Sequence, residues 1–145
     1  MNGSVAVRSF SYSPPTLSLP HGIVLCALLL AACRSYSFPP VEAPSVGTVQ
    51  EGTASWYGPG YHGNRTSSGE RFDQDALTAA HPSWAFGTRV KVTLASTGRS
   101  VEVRINDRFP AHKGRIIDLS RGAAREIGLI GPGTGRVHLE VVGES

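Results

Sequence analysis

Three stretches of the chain alternate apolar and polar residues without a break. Residues 89–94 place Val90, Val92 and Leu94 on one side, and residues 101–107 do the same with Val101, Val103 and Ile105. Residues 137–141 repeat the pattern with Val137, Leu139 and Val141. A period of two is the mark of a strand with one buried face. Residues 52–57 (GTASWY) predict an opening strand, and residues 115–119, centred on Ile116 and Ile117, predict a short one. Turn signals separate them at Gly58-Pro59-Gly60, Ser68-Gly69, Thr97-Gly98 and Gly131-Pro132-Gly133. One helix is predicted: Ser120 caps it, Ala123, Ala124 and Ile127 form its apolar stripe, and Gly128 ends it. Several short strands with one small helix predict a mainly β fold, a small barrel.

The first quarter reads as an address. Residues 23–32 (IVLCALLLAA) form an uncharged apolar run. A membrane-spanning helix needs about 20 such residues, so this run is too short to span. It does have the length of a signal-peptide core. Its end, Leu30-Ala31-Ala32-Cys33, resembles the lipobox of bacterial lipoproteins. The expectation is a signal peptide over residues 1–32 and a lipidated Cys33, which anchors the protein to a membrane. Several acyl chains at about 0.8 kcal/mol per buried methylene hold where a single chain does not. Arg34 after the cysteine points to the outer membrane, facing the periplasm. Residues 34–47 hold three prolines and three serines with no periodicity and read as an extended, flexible tether. The folded domain is expected over residues 48–143.

Composition narrows the chemistry. At 145 residues, 40% apolar and 17% charged, the chain has room for one globular domain. Lys+Arg 14 against Asp+Glu 11 gives a net charge of +3, and only Lys91 and Lys113 are lysines. That slight arginine-biased excess suits a ligand bearing carboxylates or phosphates and is small for a dedicated nucleic-acid binder. Both cysteines, Cys26 and Cys33, precede the domain, so it has no disulfide and no thiol nucleophile. His62, His81, His112 and His138 are scattered, which predicts no metal site, and no cofactor motif is present. Gly131-Pro132-Gly133-Thr134-Gly135 follows the helix and lacks the Gly-Lys-Ser/Thr ending of a phosphate loop.

Two carboxylates and a histidine remain. Asp107 continues the row Val101, Val103, Ile105 to the rim of the apolar face, a partly desolvated setting suited to proton transfer. Alternation sends Arg104 to the opposite face. On residue type alone, a structural aspartate outweighs a catalytic one. Glu70 sits in a polar turn and His81 precedes Pro82, where solvated or turn-forming roles are the ordinary expectation. Trp56, Tyr57, Tyr61 and Trp84 could line a sugar groove or fill the core.

Taken together, the segments form a series. Gly52-Thr-Ala-Ser-Trp-Tyr-Gly58 is followed by Gly63-Asn-Arg-Thr-Ser-Ser-Gly-Glu70 and Ala79-Ala80-His81. Gly87-Thr-Arg-Val-Lys-Val-Thr93, Gly98 to Arg108 with its Asn106-Asp107-Arg108 ending, and Gly114-Arg-Ile-Ile-Asp-Leu-Ser120 complete it. Over residues 51–142 this order resembles the rare lipoprotein A family of septal lytic transglycosylases. The resemblance implies a six-stranded double-psi β-barrel, related to that of expansins, whose groove is lined by Glu70, His81 and Asp107. It implies peptidoglycan glycan strands as substrate, cleaved between N-acetylmuramic acid and N-acetylglucosamine with closure of a 1,6-anhydro ring. Asp107 is then the acid/base, with Glu70 and His81 in positioning roles. Trp56 and Tyr57 would contact sugar, and Arg65, Arg71 and Arg108 would pair with the lactyl carboxylates of peptide-free strands. A monomer is expected, with wall amidases or division proteins as partners. Two departures matter. Family members commonly continue Asn-Asp-Arg with glycine, where this chain has Phe109. The series also includes no counterpart of the sporulation-related repeat with which many relatives hold septal glycan. The alternative class is a non-catalytic, expansin-like wall-binding lipoprotein.

Overall fold

The computed structural model describes residues 40–112 and 114–144. The signal-peptide reading, Cys33 and the first part of the tether lie outside them. Six strands close into a barrel: β1 (Val49–Tyr57), β2 (Thr78–Ala80), β3 (Arg89–Leu94), β4 (Ser100–Asp107), β5 (Arg115–Ser120) and β6 (Gly135–Gly143). Their order around the barrel is β1-β5-β2-β4-β3-β6, closing back on β1. Two pairs, β1/β5 and β2/β4, run parallel, and the remaining neighbours are antiparallel. The architecture expected from the chain is present.

The alternating rows become the core. Val90, Val92 and Leu94 from β3, Val101, Val103 and Ile105 from β4, and Val137, Leu139 and Val141 from β6 are all buried. Each inward methyl-bearing side chain contributes about 1.5–3 kcal/mol of burial, so the rows dictate register as well as stability. β2 was not legible in that way: its three residues are all buried, and three residues carry no alternation.

The helix α1 (Arg121–Ile127) forms where expected. The Ser120 hydroxyl accepts from the Ala123 N–H at 3.1 Å, and Gly128 ends the helix in the left-handed region at φ 80°. Gly122 lies on its buried side, against the Asp75 carbonyl, where a Cβ would collide.

Within the stretch read as a tether, Glu42 already touches the barrel. Its N–H donates to the Ser83 carbonyl and its carbonyl accepts from Ala85 N–H, both at 2.7 Å. Gly47 N–H donates to the Val141 carbonyl at 2.8 Å. An extended segment docked by main-chain bonds therefore precedes β1.

One local feature places the site. Between β2 and β4 the pairing runs Thr78 to Arg104, Ala79 to Ile105, then Ala80 to Asp107. Asn106 is the extra residue of a β-bulge, and it is buried at 1% exposure. Ile105 and Asn106 are thus buried in succession, the Asn106 amide bonded to Glu70. The bulge sets Asp107, at the end of the strand, opposite Ala80 and into the barrel mouth.

Candidate active site

A groove of about 280 Å³ opens at that mouth. Its floor is Ala80, whose register partners are Asp107 on one side and Asp118 on the other. Neighbouring strands lie about 4.8 Å apart, so the two aspartates stand roughly 10 Å apart at their Cα atoms, across one methyl group. Tyr57 and Tyr61 form one wall; Phe109 and Pro110 contribute to the lining, as do Arg108 and Arg115.

The two carboxylates have unlike surroundings. Oδ1 of Asp107 accepts from the Ser67 N–H, the Ser67 hydroxyl and the Arg108 N–H, each at 2.8 Å. Oδ2 accepts from the Tyr57 hydroxyl at 3.2 Å. Asp118 is only 13% exposed and has an ion pair with Arg115 Nε at 3.1 Å and a short bond from the Ser55 hydroxyl. Burial pushes its carboxyl above the usual range, while Ser55, Arg115 and His112 pull the other way. The sequence motif ending Ile117-Asp118-Leu119-Ser120 contained this residue, yet nothing in the alternation singled it out. A lone carboxylate between Ile117 and Leu119, both fully buried, was the available signal.

Glu70 and His81 stand behind the groove and do not line it. Glu70 pairs with Arg104 at 3.0 Å and accepts from Asn106 Nδ2. The Asn106 bond, then Arg104, holds its carboxyl below the usual range. The Arg104 guanidinium is engaged with Glu70 and has no contact with Asp107 among the described residues. The same turn gives the Ser68 N–H to the Asn106 carbonyl at 3.2 Å, so Glu70 ties to β4 the turn that carries Ser67. His81 is buried at 2% exposure and stacks on Trp84 at 4.2 Å. Its Nδ1 accepts from the N–H groups of Ser83 (3.2 Å) and Trp84 (3.0 Å). Nε2 therefore carries the proton and donates to Gln50 Oε1 at 3.0 Å. Burial, then the charge of Arg108, lowers its pKa to about 3. Its backbone N–H donates to the Asp107 carbonyl at 3.1 Å, linking this neutral, fixed ring to the site.

The other sequence candidates divide. Arg108 lines the groove, its guanidinium 3.9 Å over the Phe86 ring, with Nη1 on the carbonyls of His81 and Asp107. Its buried Nη2 has no partner among the described residues. Arg65 and Arg71 lie outside the groove, directed at the carbonyls of Gly69 (2.7 Å) and Gly63 (2.9 Å). Trp56 packs against the core and Trp84 is buried within it. Arg115, which the sequence reading passed over, lines the groove with its guanidinium 4.8 Å over the Phe109 ring. Phe109 is thus a buried wall residue at 6% exposure. Among the described residues, no group of three His, Cys, Asp or Glu side chains is placed to hold a metal ion.

Comparison with known proteins identifies the family and agrees with the fold. The family model described as lytic transglycolase matches residues 49–139. A protein of Synechocystis sp. named probable endolytic peptidoglycan transglycosylase RlpA is 59% identical over 93% of this chain and 39% of its own length. The endolytic peptidoglycan transglycosylase RlpA of Campylobacter jejuni is 53% identical over 73% of this chain and 38% of its own. The chain thus spans about two fifths of the length of these relatives. A Clavibacter michiganensis expansin shares the fold, with a TM-score of 0.54 and 23% identity over 68% of this chain and 52% of its own. With a matching barrel, a family model that covers most of the chain and relatives of this similarity, the chain belongs to the lytic transglycolase family of RlpA-like double-psi β-barrels.

Proposed function

We propose that the groove is the active site of a lytic transglycosylase that cleaves peptidoglycan glycan strands. The observation that carries this is the pair of carboxylates flanking Ala80, one desolvated and one surrounded by donors. Two carboxyl groups with different environments can divide an acid role from a charge-stabilising role. Asp118, raised by burial, protonates the oxygen that leaves when the bond from muramic C1 breaks. Asp107 presents Oδ2 to the positive charge that develops on the sugar ring. As the sugar's own C6 oxygen bonds to C1, its proton passes to Asp118, which restores the acid. The product is a 1,6-anhydro ring, with no water consumed; an attacking hydroxyl held in the same molecule has a high effective concentration. In this scheme Asp107 remains catalytic, but the proton transfer that the sequence assigned to it rests with Asp118. Glu70 and His81 act as positioning residues.

Arg108 and Arg115 are the cations of the groove, each backed by a phenylalanine ring. They favour strands whose lactyl carboxylates are free of stem peptide, the product of an amidase-type reaction. We also propose the lipid anchor at Cys33 and a place in the cell envelope on the outer-membrane side. Support comes from the lipobox-like Leu30-Ala31-Ala32-Cys33. Mass spectrometry of purified sacculi after incubation with the protein tests the activity. Soluble fragments that end in anhydro-muramic acid, one water lighter than hydrolysis products, are expected. Hydrolysed ends, or bound glycan with no release, would overturn the proposal, the latter in favour of an expansin-like binder.

A further inference from the structure

Resting on that reading of the groove, we infer that Tyr57 is a positioning residue, which fixes the groove-facing oxygen of Asp107 and braces the exposed ring of Tyr61. The resemblance implies that Tyr57 contacts sugar, and the packing of its ring points instead to a role exerted through Asp107. One face of its ring lies 4.4 Å from Phe72, tilted by only 14°. Tyr61 meets it edge-on at 5.8 Å and 77°. Both contacts hold the ring, so its hydroxyl arrives at one place.

That place matters because the two oxygens of Asp107 are unequally occupied. Oδ1 takes three donors, all within 2.8 Å, which exhausts its lone pairs. Among the described residues Oδ2 has a single donor, the Tyr57 hydroxyl, and it keeps acceptor capacity toward the groove. The donors on Oδ1 set the plane of the carboxylate, and the Tyr57 hydroxyl adds the bond that holds Oδ2 at the groove. Tyr57 therefore steadies Oδ2 and the negative charge that it presents to the substrate. Burial, then Asp107 itself, raises the Tyr57 hydroxyl well above its usual range, so it stays a donor throughout the working pH. The sugar-stacking role passes to Tyr61, 59% exposed on the 3-10 turn Pro59–Tyr61.

The test uses Tyr57→Phe, which keeps the ring packing and removes only the hydroxyl, beside Tyr61→Ala. With peptide-free glycan as substrate, Tyr57→Phe should lower kcat about 10- to 100-fold at an unchanged KM, the loss expected for one hydrogen bond to a charged group. Tyr61→Ala should instead raise KM. A merely structural role for Tyr57 would not move a second readout, the ¹³Cγ resonance of the Asp107 carboxylate. That resonance should shift in Tyr57→Phe, because Oδ2 loses its donor. A raised KM with normal kcat in Tyr57→Phe would make it a sugar platform. An unchanged Asp107 resonance in Tyr57→Phe would show that the bond does not form. Either result overturns the inference while the wild type stays active. A wild type that releases no anhydro ends overturns the functional reading, and this inference with it.

Discussion

His81 makes the stability of the barrel depend on pH in a calculable way. Unfolded, its imidazole titrates near its ordinary value of 6.5; folded, burial and Arg108 hold it near 3. Below pH 6.5 the unfolded chain therefore binds a proton that the folded chain does not, and stability falls as pH falls. At pH 5 the gap is 1.5 pH units below the unfolded value, or about 2 kcal/mol at 1.36 kcal/mol per unit. The loss grows down to about pH 3, where the folded ring also protonates. The assay is urea unfolding followed by tryptophan fluorescence at pH 7 and pH 5, on the wild type and on His81→Asn. Asparagine keeps an acceptor for the Ser83 and Trp84 N–H groups but lowers stability at both pH values, because the stacking on Trp84 and the bond to Gln50 are lost; it removes the His81 part of the pH dependence. The wild type should thus lose about 2 kcal/mol more than the variant between the two pH values. Equal losses, or an imidazole resonance of His81 that titrates near 6.5 in the folded protein, would refute the reasoning.

Gly122→Ala should destabilise the barrel by about 1–3 kcal/mol in thermal unfolding, since the added carbon meets the Asp75 carbonyl. Activity should survive prolonged treatment with chelator; a reversible loss restored by zinc would reveal a missed metal site. Labelling with a fatty-acid analogue should mark the wild type and leave Cys33→Ser unmarked.

Most of the barrel could be read before any coordinates, because strand alternation reports burial directly. The rows of β3, β4 and β6, the Ser120 cap and the Gly128 stop are local signals, and the structure carries each of them. β2 could not be read: Thr78, Ala79 and Ala80 are buried on every side, so no polar position marks their pleat. The site was legible only in part. Asp107, Tyr57 and Arg108 do meet in the groove, but the bulge at Asn106 that aims Asp107 follows from pairing with β2, not from the local pattern. Asp118 and Arg115 became visible as groove residues only once β5 lay beside β2. Ser67 lies 40 positions from the carboxylate it bonds, a separation at which residue pattern carries no information. Arg65 and Arg71 looked available because their bonds to the carbonyls of Gly69 and Gly63 form only in the closed turn.

The central claim is that one groove divides its chemistry between two aspartates, and the release of anhydro-muramic ends by Asp118→Asn and Asp107→Asn measures it most directly. Both substitutions preserve shape, and thermal midpoints close to that of the wild type establish that each variant is folded. Asp118→Asn cannot donate or retake a proton and should lose about 10²–10⁴-fold in rate. Asp107→Asn removes the charge facing the sugar ring and should lose about 10²–10³-fold, with peptide-free glycan still bound. Near-native release of anhydro ends by a folded Asp118→Asn would contradict the account.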